Sequence, residues 1–113
     1  METFELLAEL EFFEEGEKAH AQALHADHKG RALRWTLQPG QSVQPSTSPS
    51  SPVYLVVLQG TGYFAGEDRV EQKLGPNDMA VFAPNETHSA RAEDDNLIFI
   101  AILHEAPSPA HDH

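Results

Sequence analysis

The fold is decided by the stretch Gly75-Pro76-Asn77-Asp78-Met79-Ala80-Val81-Phe82-Ala83-Pro84-Asn85-Glu86-Thr87-His88. A glycine turn opens it, a short apolar run follows, and a proline turn closes it before a histidine. Short apolar segments between such turn residues are typical of β-strands. The same pattern recurs at residues 31–37, 53–58, 63–64, 69–74, 87–92 and 97–103. The sequence therefore predicts an all-β sandwich or barrel.

A second stretch has related glycine and proline spacing. It reads Gly40-Gln41-Ser42-Val43-Gln44-Pro45-Ser46-Thr47-Ser48-Pro49-Ser50-Ser51-Pro52-Val53-Tyr54-Leu55-Val56-Val57-Leu58-Gln59-Gly60. Together the two stretches resemble the two motifs of the cupin family and cover about half of the chain. The resemblance implies a cupin double-stranded β-helix, a jelly-roll barrel, over a single domain of residues 1–105.

The same resemblance implies where a metal would be held. The two histidines of the first motif correspond to Ser46 and Ser48, its glutamate corresponds to Val53, and the second-motif histidine is matched by His88. A borderline-soft divalent ion prefers imidazole, carboxylate or thiolate donors, whereas serine is a weak ligand and valine is none. We therefore expect no cofactor and no standard metal site. A metal held by His88 with non-standard ligands is the alternative.

The barrel interior is predicted to be largely apolar. Because side chains alternate along a strand, Val53, at the inward glutamate position of the resemblance, places Leu55 and Val57 inward as well. Leu33, Trp35 and Leu37 share a face, and we expect Trp35 to help close the pocket and Arg34 to point outside. The predicted lining of the ligand pocket is His88, Ser46, Ser48, Val53, Leu55, Val57, Phe64 and Phe82.

Residues 44–52 hold three prolines and four serines. Proline donates no hydrogen bond to a neighbouring strand, so a strand here should be short, irregular or mobile. An ordinary surface loop is the plainer interpretation.

Residues 2–15 are predicted to form a short helix laid against the barrel, because Leu6, Leu10 and Phe13 follow a helical spacing. Segments 53–58 and 97–103 are apolar at nearly every position, which indicates strands covered on both faces. A second subunit or the N-terminal helix would cover the outer face. We expect a homodimer formed through the sheet faces, in agreement with the resemblance.

Composition excludes several partners. The chain has 113 residues, a formal net charge of -11 and seven Lys and Arg residues, so nucleic acid and anionic membranes are not expected. It lacks cysteine, and with it disulfides and thiol nucleophiles. It has no apolar run of the ~20 residues that span a bilayer. The start of the sequence has no basic segment typical of a signal peptide, so the expected location is cytoplasmic.

The remaining histidines fall outside the motifs. His20, His25 and His28 are interpreted as part of a solvated polar segment, and His104 is expected at the surface or at the barrel rim. Whether any of the four joins a metal site stays open. His111 and His113 lie in a predicted flexible tail, residues 106–113, which could bind transition metals adventitiously.

Two functions from different classes fit these observations. The first is a small cupin barrel that binds a small, largely apolar molecule without a standard metal site. The second is a metal-dependent cupin enzyme, an oxygenase or isomerase, that uses His88. A metal-free isomerase with His88 as base is a third, for which the sequence offers no partner acid. The fold alone does not choose between them.

Overall fold

Nine β-strands make up the regular structure of the described residues, which are 1–12, 19–48 and 50–104 of the computed structural model. They are β1 His20–Asp27, β2 Gly30–Leu37, β3 Ser42–Ser46, β4 Val53–Gln59, β5 Gly62–Ala65, β6 Gln72–Leu74, β7 Met79–Phe82, β8 His88–Ala92 and β9 Leu97–His104. Seven of them coincide with predicted segments. Strand β1 replaces part of the predicted solvated segment, and β3 is the short strand expected among the prolines.

The strands form two antiparallel sheets that face each other. One has the order β1-β2-β9-β4-β7 and the other β3-β8-β5-β6. The core between them receives inward residues of strands β2 to β9, including Val53, Leu55 and Val57 of β4, as predicted. The prediction of an all-β double-stranded β-helix is confirmed.

Two motif glycines have backbone conformations that other residues adopt with strain. Gly40 has φ 83° and Gly60 has φ 77°. A Cβ atom at Gly60 would also collide with the backbone carbonyl oxygen of Asn96. The glycine spacing of the first motif thus reflects turns that the fold requires.

The predicted N-terminal helix is wrong for residues 2–12, and residues 13–15 lie outside the described range. Residues 6–9 form turns and bends, with Glu9 at φ 52°. Carbonyl groups that a helix would bond internally instead accept hydrogen bonds from β2. The Arg34 guanidinium donates to the carbonyl oxygens of Leu6 (3.2 Å), Ala8 (2.7 Å) and Glu9 (3.2 Å). Tertiary contacts thereby override the helical preference of these residues.

Arg34 points away from the barrel interior, as predicted, but it is only 3% exposed. Its fourth hydrogen bond goes to Oε1 of Gln22, at 2.6 Å. The neighbouring Thr36 hydroxyl donates to the carbonyl oxygen of Glu11. These bonds hold the N-terminal segment on the outer side of the five-stranded sheet, next to Ile98 and Ile100, which pair with Thr36 and Arg34.

The outer faces of the two sheets differ in chemistry. On the four-stranded sheet, Arg91 donates two hydrogen bonds to Glu71, at 2.6 and 2.9 Å, and its guanidinium lies 4.3 Å from the Tyr63 ring centroid. On the five-stranded sheet, strand register joins Ile102, Tyr54 and Val81 in one row. Ile102 is 42% exposed and Val81 is 53% exposed. One outer face is therefore charged and the other apolar.

The predicted tail, residues 106–113, lies outside the described residues. Within the described residues, no helix is long and apolar enough to cross a membrane.

Candidate functional site

The turn before β8 positions His88. Two hydrogen bonds between Glu86 and Ala83 close this turn. The Glu86 Oε1 accepts the backbone N–H of Ala83 at 2.9 Å, and the backbone N–H of Glu86 donates to the Ala83 carbonyl at 3.0 Å. Asn85, at φ 66°, donates its N–H to the Ser48 carbonyl at 2.9 Å. The turn is thus tied to the β3–β4 loop, and His88 begins β8 directly opposite Ser46 of β3.

An apolar cavity of about 40 Å³ lies between the sheets beside these two residues. Both sheets contribute to its wall. Its lining consists of Trp35, Val43, Ser46, Val53, Leu55, Phe82, His88, Ser89, Ala90, Phe99 and Ala101. Aromatic rings occupy much of the adjoining space: Trp35 and Phe99 are stacked with centroids 6.2 Å apart, and Phe64 meets Phe99 edge to face at 5.4 Å. The barrel is therefore largely filled by its own side chains.

The His88 imidazole is half-buried at this cavity. Its ring lies 5.1 Å from the Phe82 ring, tilted by 36°. No side chain or backbone group in the described part of the chain forms a hydrogen bond with the imidazole. Burial lowers the pKa of His88 below its ordinary value, and the Glu86 carboxylate opposes that shift. A neutral imidazole offers one N–H donor and one acceptor nitrogen to whatever occupies the cavity.

Five of the eight predicted pocket residues line the cavity: His88, Ser46, Val53, Leu55 and Phe82. Val57 and Phe64 belong to the core but lie outside the cavity wall. Trp35 helps to close the cavity, as predicted.

Ser48 departs from the expected position. Strand β3 ends at Ser46 after an irregularity in its pairing with β8, next to Pro45, so the His-x-His spacing does not continue to Ser48. Ser48 lies in the loop and lines a different groove, at the end of the barrel. The structure thus separates the two serines that the resemblance placed together.

The family model of the cupin domain matches residues 33–103, well over half of the chain. The chain belongs to the cupin family. No curated protein matches it.

Solved structures share this cupin fold at low sequence identity. TT1209 from Thermus thermophilus superposes with a TM-score of 0.84 at 18% identity, covering 95% of this chain and 100% of that one. An RmlC-like cupin protein from Desulfovibrio desulfuricans gives 0.79 at 20% identity, covering 90% and 95%. An uncharacterised Klebsiella pneumoniae protein with a double-stranded β-helix domain gives 0.77 at 16%, covering 83% of each chain. At these identities the likeness concerns the fold alone.

The donor set at the cavity does not fit a cupin metal centre. Four residues align with the metal-ligand positions of the cupin motifs. The cavity wall holds three of them: His88 with an imidazole, Ser46 with a hydroxyl and Val53 with a hydrocarbon side chain. The fourth, Ser48, lines the groove at the end of the barrel. Across residues 1–12, 19–48 and 50–104, no three His, Asp or Glu side chains come close enough together to hold a metal ion.

The other histidines of these ranges are not cavity residues. His20 lies 3.8 Å from Glu11, and His25 lies 3.2 Å from Asp27. His104 stacks on Tyr54 with ring centroids 5.5 Å apart, and His28 and His104 line the groove at the barrel end. The structure thus brings none of these four to His88.

Sequence reasoning missed several cavity residues, namely Val43, Ser89, Ala90, Phe99 and Ala101. The alternation of side chains along paired strands could have predicted two of them. Phe99 and Ala101 pair with Val57 and Leu55 and so share their inward face. Ala90 and Ala92, on the same strand face as His88, carry the other signal, because alanines at inward positions leave space.

Proposed function

We propose that this cupin is a binding protein that holds a small, largely apolar molecule against His88 without a metal ion. The observation that carries the proposal is the half-buried His88 imidazole, which has no hydrogen-bond partner among the described residues and borders an apolar cavity. Small-molecule sites combine an apolar lining with a few directed polar groups. Here Ser46, opposite His88 in the strand register, supplies the second polar group.

The size of the cavity limits the ligand. About 40 Å³ exceeds the space that one water molecule needs, but it is far below the roughly 300–1,000 Å³ of pockets for drug-sized molecules. The ligand is therefore a short-chain molecule with a single polar group. A larger ligand requires displacement of a wall side chain, for which Trp35 is the candidate because it is only half-buried.

The polar group of the ligand is a neutral hydroxyl or carbonyl. The lowered pKa of His88 favours the uncharged imidazole near neutral pH, which pairs with neutral donors or acceptors. Hydrocarbon walls such as Val53, Leu55 and Phe82 would make a buried carboxylate costly.

The experiment compares a short-chain alcohol with the hydrocarbon of the same carbon skeleton, titrated into isotope-labelled protein and followed by NMR. The alcohol should shift the amide signals of Ser89 and Ala90 and the imidazole nitrogens of His88. Replacing His88 with alanine removes one hydrogen bond to the alcohol, which costs about 0.5–1.5 kcal/mol. The alcohol should then bind about two- to tenfold more weakly, whereas the hydrocarbon should bind at least as well.

Ser46→Ala tests the second polar group, because it removes a hydroxyl and adds almost no space. Val53→Ala is the control for cavity volume, because it enlarges the cavity without removing a polar group and should leave the hydrogen bond to the alcohol intact. If neither ligand produces saturable shifts at the cavity, the barrel is filled and the proposal fails. It also fails if His88→Ala leaves alcohol binding unchanged and only lowers the melting temperature, since His88 would then be a packing residue.

We also propose that two copies associate through the apolar outer face of the five-stranded sheet. Its row of Ile102, Tyr54 and Val81 continues to Val56 and Met79 in the strand register. Met79 is 62% exposed. Soluble proteins rarely leave large contiguous apolar patches uncovered. The other outer face carries the ion pairs of Arg91 and Lys73 and is a poor match for such a contact.

A further inference from the structure

A second concave region lies at one end of the barrel, where β1 turns into β2. Its volume is about 250 Å³. Four basic side chains line it, His28, Lys29, Arg31 and His104, together with the hydroxyl-bearing Ser48 and Ser50 of the β3–β4 loop. None of these six lines the cavity at His88, so the groove is a separate feature.

This concentration of basic groups is unusual for the chain, whose formal net charge is -11 with seven Lys and Arg residues in all. Two of the other cations are held in ion pairs: Lys73 lies 3.1 Å from Glu93, and Arg91 lies 2.6 Å from Glu71. Lys29 and Arg31 form no ion pair within the described part of the chain. Two unpaired cations at one groove of an acidic protein favour an anionic ligand.

The backbone around the groove is well fixed. Asp27 Oδ1 accepts the N–H groups of Lys29 (2.8 Å) and Gly30 (3.0 Å), which holds the β1–β2 turn. Gly30 is paired with His104, whose N–H donates to the Ser51 hydroxyl oxygen at 2.8 Å. The turn, the end of β9 and the serine-rich loop are thereby joined into one wall.

Strand register directs Arg31 toward this end of the barrel. Arg31 pairs with Leu103, which packs against the core from the inward side of β9. Arg31 therefore continues the inward row of Leu33, Trp35 and Leu37 beyond the last apolar layer. A guanidinium at that place presents a planar fork of donors, which suits the two oxygens of a carboxylate or phosphate group.

We propose that this groove binds a small oxyanion, a phosphate or carboxylate group, through Arg31 and Lys29. Asp27 contributes one opposing charge, so the fixed side-chain charges of the groove sum to +1. The Asp27 carboxylate is turned toward the N–H groups of its own turn and toward the His25 ring, at 3.2 Å. The hydroxyls of Ser48 and Ser50 in the β3–β4 loop supply further, neutral donors to the groove.

Titration of the full chain with inorganic phosphate and, separately, with malonate tests the proposal by NMR at low salt. The amide signals of Lys29, Gly30 and His104 should shift saturably with at least one of the two anions. Binding of phosphate alone assigns a phosphate group, and binding of malonate alone assigns a carboxylate. Arg31→Ala should weaken binding about tenfold, as expected for loss of a charge-assisted pair.

Two variants sharpen the outcome. Asp27→Asn keeps an oxygen that can accept the turn N–H groups but removes the opposing charge, so it should tighten binding. Arg69→Ala removes an exposed arginine away from the groove and should leave affinity almost unchanged. The proposal is overturned if neither anion gives saturable shifts up to tens of millimolar, or if Arg69→Ala weakens binding as much as Arg31→Ala does, because attraction would then be diffuse.

Discussion

Replacing Arg34 with methionine should release the N-terminal segment and destabilise the whole barrel. The guanidinium is 3% exposed and donates four hydrogen bonds, to the carbonyl oxygens of Leu6, Ala8 and Glu9 and to Oε1 of Gln22. Methionine preserves most of the side-chain volume but removes every donor. The four acceptors then lose their partner at once.

The size of the effect follows from this count. At about 1 kcal/mol for each acceptor left without its donor, four acceptors give a loss of about 4 kcal/mol in the free energy of unfolding. The guanidinium no longer has to leave water in the variant, which offsets part of the loss. The segment can also lift off, so that its carbonyls bond to water. We therefore expect a net loss of about 2–4 kcal/mol.

Urea unfolding, followed by the fluorescence of the single tryptophan, Trp35, measures this loss. Arg31→Met is the matched control, since Arg31 lies on the same strand but is exposed and makes no hydrogen bond or ion pair within the described residues. It should change stability by less than about 0.5 kcal/mol. Proteolysis by a glutamate-specific enzyme should cut the Arg34 variant first within residues 1–12. Equal stability of the two variants, with no faster cleavage, would refute the role assigned to Arg34.

Three further predictions concern the site and the assembly. Because burial lowers the folded-state pKa of His88 below the unfolded value of about 6.5, the unfolded chain takes up this proton first as the pH falls. His88 therefore lowers the free energy of unfolding only as the pH falls below its unfolded pKa. In urea unfolding under acidic conditions, His88→Gln should lose less stability with falling pH than the wild type does. An unchanged pH profile would contradict the assigned burial. In sedimentation equilibrium, Val81→Glu should lower the measured mass from twice the chain mass toward that of the monomer. Val70→Glu, at a loop residue that is 68% exposed, should leave the measured mass unchanged. A monomeric wild type would refute the dimer. Elemental analysis of a tag-free version ending at Ala106 should find far less than one metal ion per chain after dialysis, and one retained ion per chain would refute the metal-free site.

Local signals were sufficient for most of the strands. Gly60 and the Pro84-Asn85 turn mark places where the backbone reverses. Glycine, proline and asparagine favour turns, so such places can be predicted from a single sequence. Strand β1 was not predicted, because it is an edge strand with mostly exposed side chains. Its pairing with β2 uses backbone groups, which leave no apolar pattern.

The N-terminal prediction failed for a different reason. The helical spacing of Leu6 and Leu10 is real, but the hydrogen bonds of Arg34, more than twenty residues away, decide the conformation. At the site, the motif spacing located Ser46 and His88 correctly beside one cavity. It failed at Ser48, because an irregular β3 next to Pro45 breaks the strict alternation on which the spacing depends.

The anchoring of the N-terminal segment through its carbonyl oxygens has a consequence for variation among homologues. Every residue type has a backbone carbonyl, so Leu6, Ala8 and Glu9 can each be exchanged for many others without loss of a hydrogen bond to Arg34. The selective constraint is concentrated on the arginine and on the path of the backbone. Sequences in this region should therefore diverge freely while the arginine at position 34 is retained, and an alignment of homologues would show one fixed column opposite a variable stretch.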